Sequence, residues 1–128
     1  MRNYKDLLVW EKAHKLTLAV YKITLVFPRE ERYGLTSQVR RASASIAANL
    51  AEGCGRRPDG ELARYVQIAM GSGAELSYHF LLARDLGFVQ SAEYESLNAE
   101  VREIMRMLSA LSARLRKPTA AGAFQAKR

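Results

Sequence analysis

Apolar residues recur at spacings of three and four in four separate stretches, the signature of amphipathic helices. In the first, Val9, Ala13, Leu16, Val20, Ile23 and Phe27 share one stripe. Pro28 follows and cannot extend a helix. The second stripe is Leu35, Val39, Ala42, Ile46, Asn49 and Gly53. The third is Leu62, Val66, Ala69, Gly73, Leu76, Phe80 and Ala83, and the fourth is Tyr94, Leu97, Val101, Ile104, Leu108, Leu111 and Leu115. No stretch alternates with period two for long, so no sheet is expected. Turn-forming residues mark the boundaries. Asp59 is placed to cap the third helix and Ser91 the fourth. Gly87 in "RDLGF" suits a left-handed C-cap. "GCGRRPDG" separates the second and third helices. Short links make neighbours antiparallel, so the pattern predicts an all-α, up-down-up-down four-helix bundle over residues 1–116. Residues 117–128 carry no stripe and read as a flexible basic tail.

The second helix departs from this scheme. "RRASASIAANLAEG" holds five alanines and only two large apolar residues, Ile46 and Leu50. On a wheel of 100° per residue, Ser37, Ala44, Ala48, Ala51 and Gly55 lie opposite the core stripe, with Arg40 and Arg41 at their flanks. A face meant for solvent would carry lysine and glutamate. Small residues at one-turn spacing let a second helix approach closely, so this face is read as a subunit contact. Asn49 is the polar member of the core stripe, and a buried polar group without a partner costs about 1–3 kcal/mol. It should be hydrogen-bonded, with Glu52, Ser72 and Glu75 as candidate partners. Gly71 and Gly73 should let another backbone come near, as each weakens its helix by about 0.5–1 kcal/mol.

Composition narrows the class. The 128 residues are 48% hydrophobic and 26% charged, the profile of one globular domain. A lone cysteine, Cys54, excludes an internal disulfide and fits a reducing compartment. Charges fill the N-terminal stretch where a signal peptide needs apolar residues, and no apolar run is long enough for a membrane, so a cytoplasmic protein is expected. The net charge is +7. Lys117, Lys127 and Arg128 belong to the tail, leaving 17 bases against 13 acids, or +4, in residues 1–116. That balance is compatible with RNA or DNA as a partner.

Chemistry for catalysis is missing. His14 and His79 lie on different helices, Cys54 belongs to no CxxC, and "GCGRRPDG" lacks the ending of a phosphate loop. No catalytic residue, metal, di-iron centre or cofactor is expected.

"DLLVWEKAHKL", "FPREERYGLTSQVRRASASIAANLAEGCGR", "YVQIAMGSGAEL" and "ARDLGFV" follow one another between about Tyr4 and Leu115. This series resembles the four-helix bundle proteins encoded in intervening sequences of 23S ribosomal RNA genes. That group is related to the accessory variability determinant of diversity-generating retroelements. The resemblance implies a ring-like homopentamer with a basic surface, and a reverse transcriptase as partner if the chain is of the retroelement branch. Mapped onto the motifs, the basic positions are Arg40, Arg41, Arg56 and Arg57, with Arg64 about two turns beyond. The structural polar positions are Ser45, Asn49, Glu52, Ser72 and Glu75. The expected function is a non-enzymatic homo-oligomer that binds RNA or a ribonucleoprotein partner. The alternative is a protein–protein adaptor, or a structural oligomer without nucleic-acid binding, whose arginines merely pair with Glu30, Glu31, Glu61 and similar acids.

Overall fold

The computed structural model describes residues 3–56 and 60–116. Four helices dominate: α1 (Leu8–Ile23), α2 (Leu35–Cys54), α3 (Gly60–Asp85) and α4 (Ser91–Arg116). Short 3-10 turns at Tyr4–Asp6, Thr24–Val26 and Arg29–Glu31 complete the order, and the described residues contain no strand. Residues 57–59 and 117–128, which include Arg57, Asp59 and the basic tail, lie outside the described residues.

Each helix packs on the next, and α1 also packs on α4, which closes the bundle. Side-chain hydrogen bonds join α2 to α3 and α3 to α4. Across α2 and α3, Arg41 meets Glu75, Ser45 meets Ser72 and Glu52 meets Tyr65. Across α3 and α4, Gln67 meets Ser112 and Ser77 meets Asn98.

The core is built from the stripes. Val9, Ala13, Leu16 and Val20 are buried in α1, and Leu62, Val66, Ala69, Leu76, Phe80 and Ala83 in α3. Leu97, Val101, Ile104, Leu108 and Leu111 supply α4. In α2 the stripe differs from the sequence expectation. Leu50 is fully buried, whereas Asn49 is only half-buried. Ile46–Leu50 and Ile46–Asn49 are alternative ridges of one helix, and burying leucine stabilises by about 1.5–3 kcal/mol whereas burying an amide gains nothing comparable.

Two glycines permit close helix contact. A Cβ on Gly53 would lie 2.8 Å from Tyr65 Cβ and 3.3 Å from Leu62 Cα, so α2 meets α3 nearly backbone to backbone. A Cβ on Gly73 would collide with Met105 Sδ on α4. Gly71, expected to play the same part, is exposed with nothing within 4 Å of such a Cβ.

The helix ends are set locally. Leu35 N–H donates to Glu31 Oε1 at 3.0 Å, so a glutamate from the preceding turn caps α2. Gly87 takes φ +82° and Phe88 N–H donates to Ala83 O at 2.8 Å, the left-handed termination expected of that glycine. Ser91 is the first residue of α4 rather than the residue before it, and Tyr94 N–H reaches back to Gln90 O at 2.9 Å.

Candidate functional site

The outer face of α2 is open. Ser37, Ala48 and Gly55 are exposed, and Ala44 and Ala51 are half-buried. Beside them α3 presents Ile68 and Tyr78, exposed by 41% and 58%. The sequence reading did not single out these two. Their signal is a second pattern on α3, in which Ile68, Gly71, Glu75 and Tyr78 follow spacings of three and four off the core stripe.

The five polar positions divide into three groups. Asn49 Nδ2 donates to Ser45 O at 2.8 Å and lies 2.9 Å from Ser45 Oγ, and Ser45 Oγ lies 2.8 Å from Ser72 Oγ. This chain ties α2 to α3. Glu52 instead accepts from Arg56 at 3.3 Å and from the Tyr65 hydroxyl at 3.4 Å. Glu75 accepts from Arg41 and lies 3.8 Å from Nε2 of the buried His79.

The arginines also fall into separate places. Arg40 Nε donates to the buried Thr24 Oγ1 at 2.8 Å, and its guanidinium lies 4.7 Å from the Tyr21 ring centre. Thr24 in turn donates to Val20 O at 2.7 Å, so Arg40 binds the end of α1. Arg41 faces outward against Glu75. Arg56 stands about 24 Å along the axis from Arg40, at 1.5 Å per residue. There Arg56 and Arg64 both lie over Tyr65, at 5.7 and 5.3 Å from the ring centre. The bond to Glu52 holds the Arg56 pKa above its usual value, and Arg64 pairs with Glu61 at 3.4 Å. Tyr65 is the organiser that the sequence reading missed.

His14 stacks on Trp10 with ring centres 5.1 Å apart. Glu11, three residues before it, pairs with Lys15 at 3.1 Å. Glu11 and His14 form one Glu-x-x-His spacing that the sequence reading overlooked, but no cluster of three metal-ligating side chains exists among the described residues. Four surface hollows of 260 to 490 Å³ are lined without any His, Cys, Asp or Glu. No described helix is long and apolar enough to cross a membrane.

A family model described as 23S rRNA-intervening sequence protein matches residues 5–110. The chain belongs to that family. Among solved structures it is similar to a protein of unknown function from the S23 ribosomal protein family of Bacteroides thetaiotaomicron VPI-5482. The two share 20% identity over 83% of this chain and 96% of that one, with a TM-score of 0.76. At that identity the likeness establishes the fold. No curated protein matches. The matched residues of this 23S rRNA-intervening sequence protein take in all of α1, α2 and α3 and most of α4, so the open α2 face and the Arg56–Tyr65–Arg64 corner both lie inside the family region.

Proposed function

We propose that this protein is a non-enzymatic, cytoplasmic homo-oligomer that holds RNA, or a ribonucleoprotein partner, on a basic rim. Its bundle runs up-down-up-down, and the copies form a ring, pentameric as the family resemblance implies. The open face of small residues on α2, with Ile68 and Tyr78 beside it, supports assembly. The observation that carries the RNA reading is the pair of cations held over one tyrosine at the α2–α3 corner, where Arg56 and Arg64 share Tyr65. Arg57 adjoins them in sequence. The charge of +4 on residues 1–116 becomes +20 over five copies, so symmetry turns a modest excess into a strong field. Phosphate contacts of this kind position a nucleic acid without reading its bases. RNA is the polyanion proposed for this rim.

Arg56→Glu with Arg64→Glu should abolish binding of structured RNA and leave the solution mass and melting profile nearly unchanged. Wild-type affinity should fall steeply with salt. Binding that survives the double reversal at moderate salt excludes the corner as the site.

The adaptor reading has its own support, because Arg41, Arg56 and Arg64 all face acids of their own chain. Absence of RNA binding even at low salt would favour it.

A further inference from the structure

The end of α1, the link that follows it and the start of α2 enclose a hollow of about 490 Å³, a volume that suits a small ligand. Its walls include Arg32, Arg40, Arg41, Tyr21, Tyr33 and Ser37. Tyr33 is 87% exposed, so its ring is nearly bare, and Tyr21 is 46% exposed. Each ring has a guanidinium beside it. That of Arg32 lies 5.5 Å from the Tyr33 ring centre, and that of Arg40 lies 4.7 Å from that of Tyr21. The bond to Thr24 fixes Arg40 in this place before any ligand arrives.

No carboxylate lines the hollow. Of its three arginines only Arg41 makes an ion pair among the described residues, with Glu75. Glu30 and Glu31 stand in the adjoining turn and balance Arg29 and Arg32 there, and Glu31 is engaged in capping α2. Charge alone therefore selects no ligand. The pairing of guanidinium groups with open rings does.

We infer that this hollow binds an unpaired nucleotide, its phosphate between Arg32 and Arg40 and its base stacked on Tyr33. Arginine forks suit phosphate, and a bare aromatic ring takes a base of any kind by its face. A carboxylate side chain would meet the arginines and leave Tyr33 bare. A duplex would bring phosphates but keep its bases stacked on one another, away from the ring. An unpaired nucleotide uses both halves, whether it is free or part of a single-stranded stretch of RNA. The site lies at the opposite end of α2 from Tyr65. It goes beyond the rim there, which meets only the phosphates of structured RNA.

The probes are a fluorescein-labelled oligouridylate and a blunt RNA hairpin, each followed by anisotropy with the full chain. The oligouridylate should bind, and Tyr33→Ala should weaken it about tenfold, the loss expected for one stacked base. Tyr33→Phe should keep the wild-type affinity, because the phenyl face stacks as well. Arg32→Glu should weaken the oligouridylate at least as much as Tyr33→Ala. Hairpin binding should be indifferent to Tyr33→Ala, and the tenfold effect on the oligouridylate should persist in a chain that carries Arg56→Glu and Arg64→Glu. Displacement of the strand by excess uridine 5′-monophosphate would identify the free nucleotide as the ligand, and a strand that stays bound would identify single-stranded RNA. Tyr33 and Arg32 are exposed, and circular dichroism checks that the variants fold. Equal affinity of the wild type and Tyr33→Ala for the oligouridylate overturns the inference. So does a change in the solution mass of Tyr33→Ala, which would assign the hollow to a second copy. The hairpin reports on the Tyr65 rim separately, so either result leaves that reading standing or falling on its own.

Discussion

His79 is the buried residue whose surroundings fit it for one charge state. The residue is 6% exposed and Nδ1 has no hydrogen-bond partner. Burial lowers its pKa below the usual 6.5; Glu75 opposes that shift and Arg41 adds to it. A proton on Nδ1 would be sealed in without an acceptor. The unfolded chain takes up a proton as pH falls through 6.5, whereas the folded chain resists until a lower pH. His79 therefore supports the fold above pH 6.5, and that support is lost as pH falls toward the folded value. The melting temperature of the wild type should drop between pH 7 and pH 5 by more than that of His79→Gln. Parallel pH profiles for the two proteins would show that the imidazole titrates no differently in the fold. The Asn49 amide is the opposite case. It is half in water and bonded within its own helix, so it fixes no deep contact.

At the scale of the helices, two glycines separate contact from propensity. Gly53→Ala places a methyl against Tyr65 Cβ and the Leu62 backbone, which cannot yield cheaply. Overpacking of that kind costs about 1–3 kcal/mol and outweighs the helix preference for alanine. Gly71→Ala meets nothing within the chain and should instead stabilise an isolated bundle by about 0.5–1 kcal/mol. Urea titrations of the two variants should move in opposite directions. Arg40 offers a third measurement at this scale. Removing its bond to Thr24 by Arg40→Met should cost about 1.5–3 kcal/mol, as a charged hydrogen bond to a buried hydroxyl would. An unchanged midpoint would show that Thr24 is satisfied by Val20 O alone. These cases show what the pattern could and could not carry. The four stripes placed the helices because burial of leucine and valine follows a fixed angular period. The choice of Leu50 over Asn49 was not legible, since both continue from Ile46 and only the positions of α1 and α3 decide between them. The purposes of Gly53 and Gly71 were likewise set by neighbours distant in sequence.

For the whole molecule, the candidate site was legible as a set of residue types and not as a geometry. The arginines were visible in the sequence, but Arg40 belongs to the end of α1 and Arg56 to a corner about 24 Å away, at 1.5 Å per residue. A run of small residues, by contrast, keeps its face wherever the helix goes, because the face depends on angle alone. That is why the wheel placed Ala44, Ala48 and Ala51 together on the surface of the folded chain. Ala48 is exposed in one bundle, so a larger side chain there disturbs nothing inside it. Ala48→Glu should leave helicity and the melting of the separated bundle intact. In an assembly that closes over this face, the same carboxylate would be buried beside Ile68 or Tyr78 with no designed partner, and one stranded buried charge costs about 3–5 kcal/mol. Repeated at every contact of a ring, that penalty is sufficient to dissociate it. Light scattering should therefore give the mass of one chain for Ala48→Glu and a multiple of it for the wild type. If the variant keeps the wild-type mass, the copies meet elsewhere, and the small residues of α2 serve only to favour the helix.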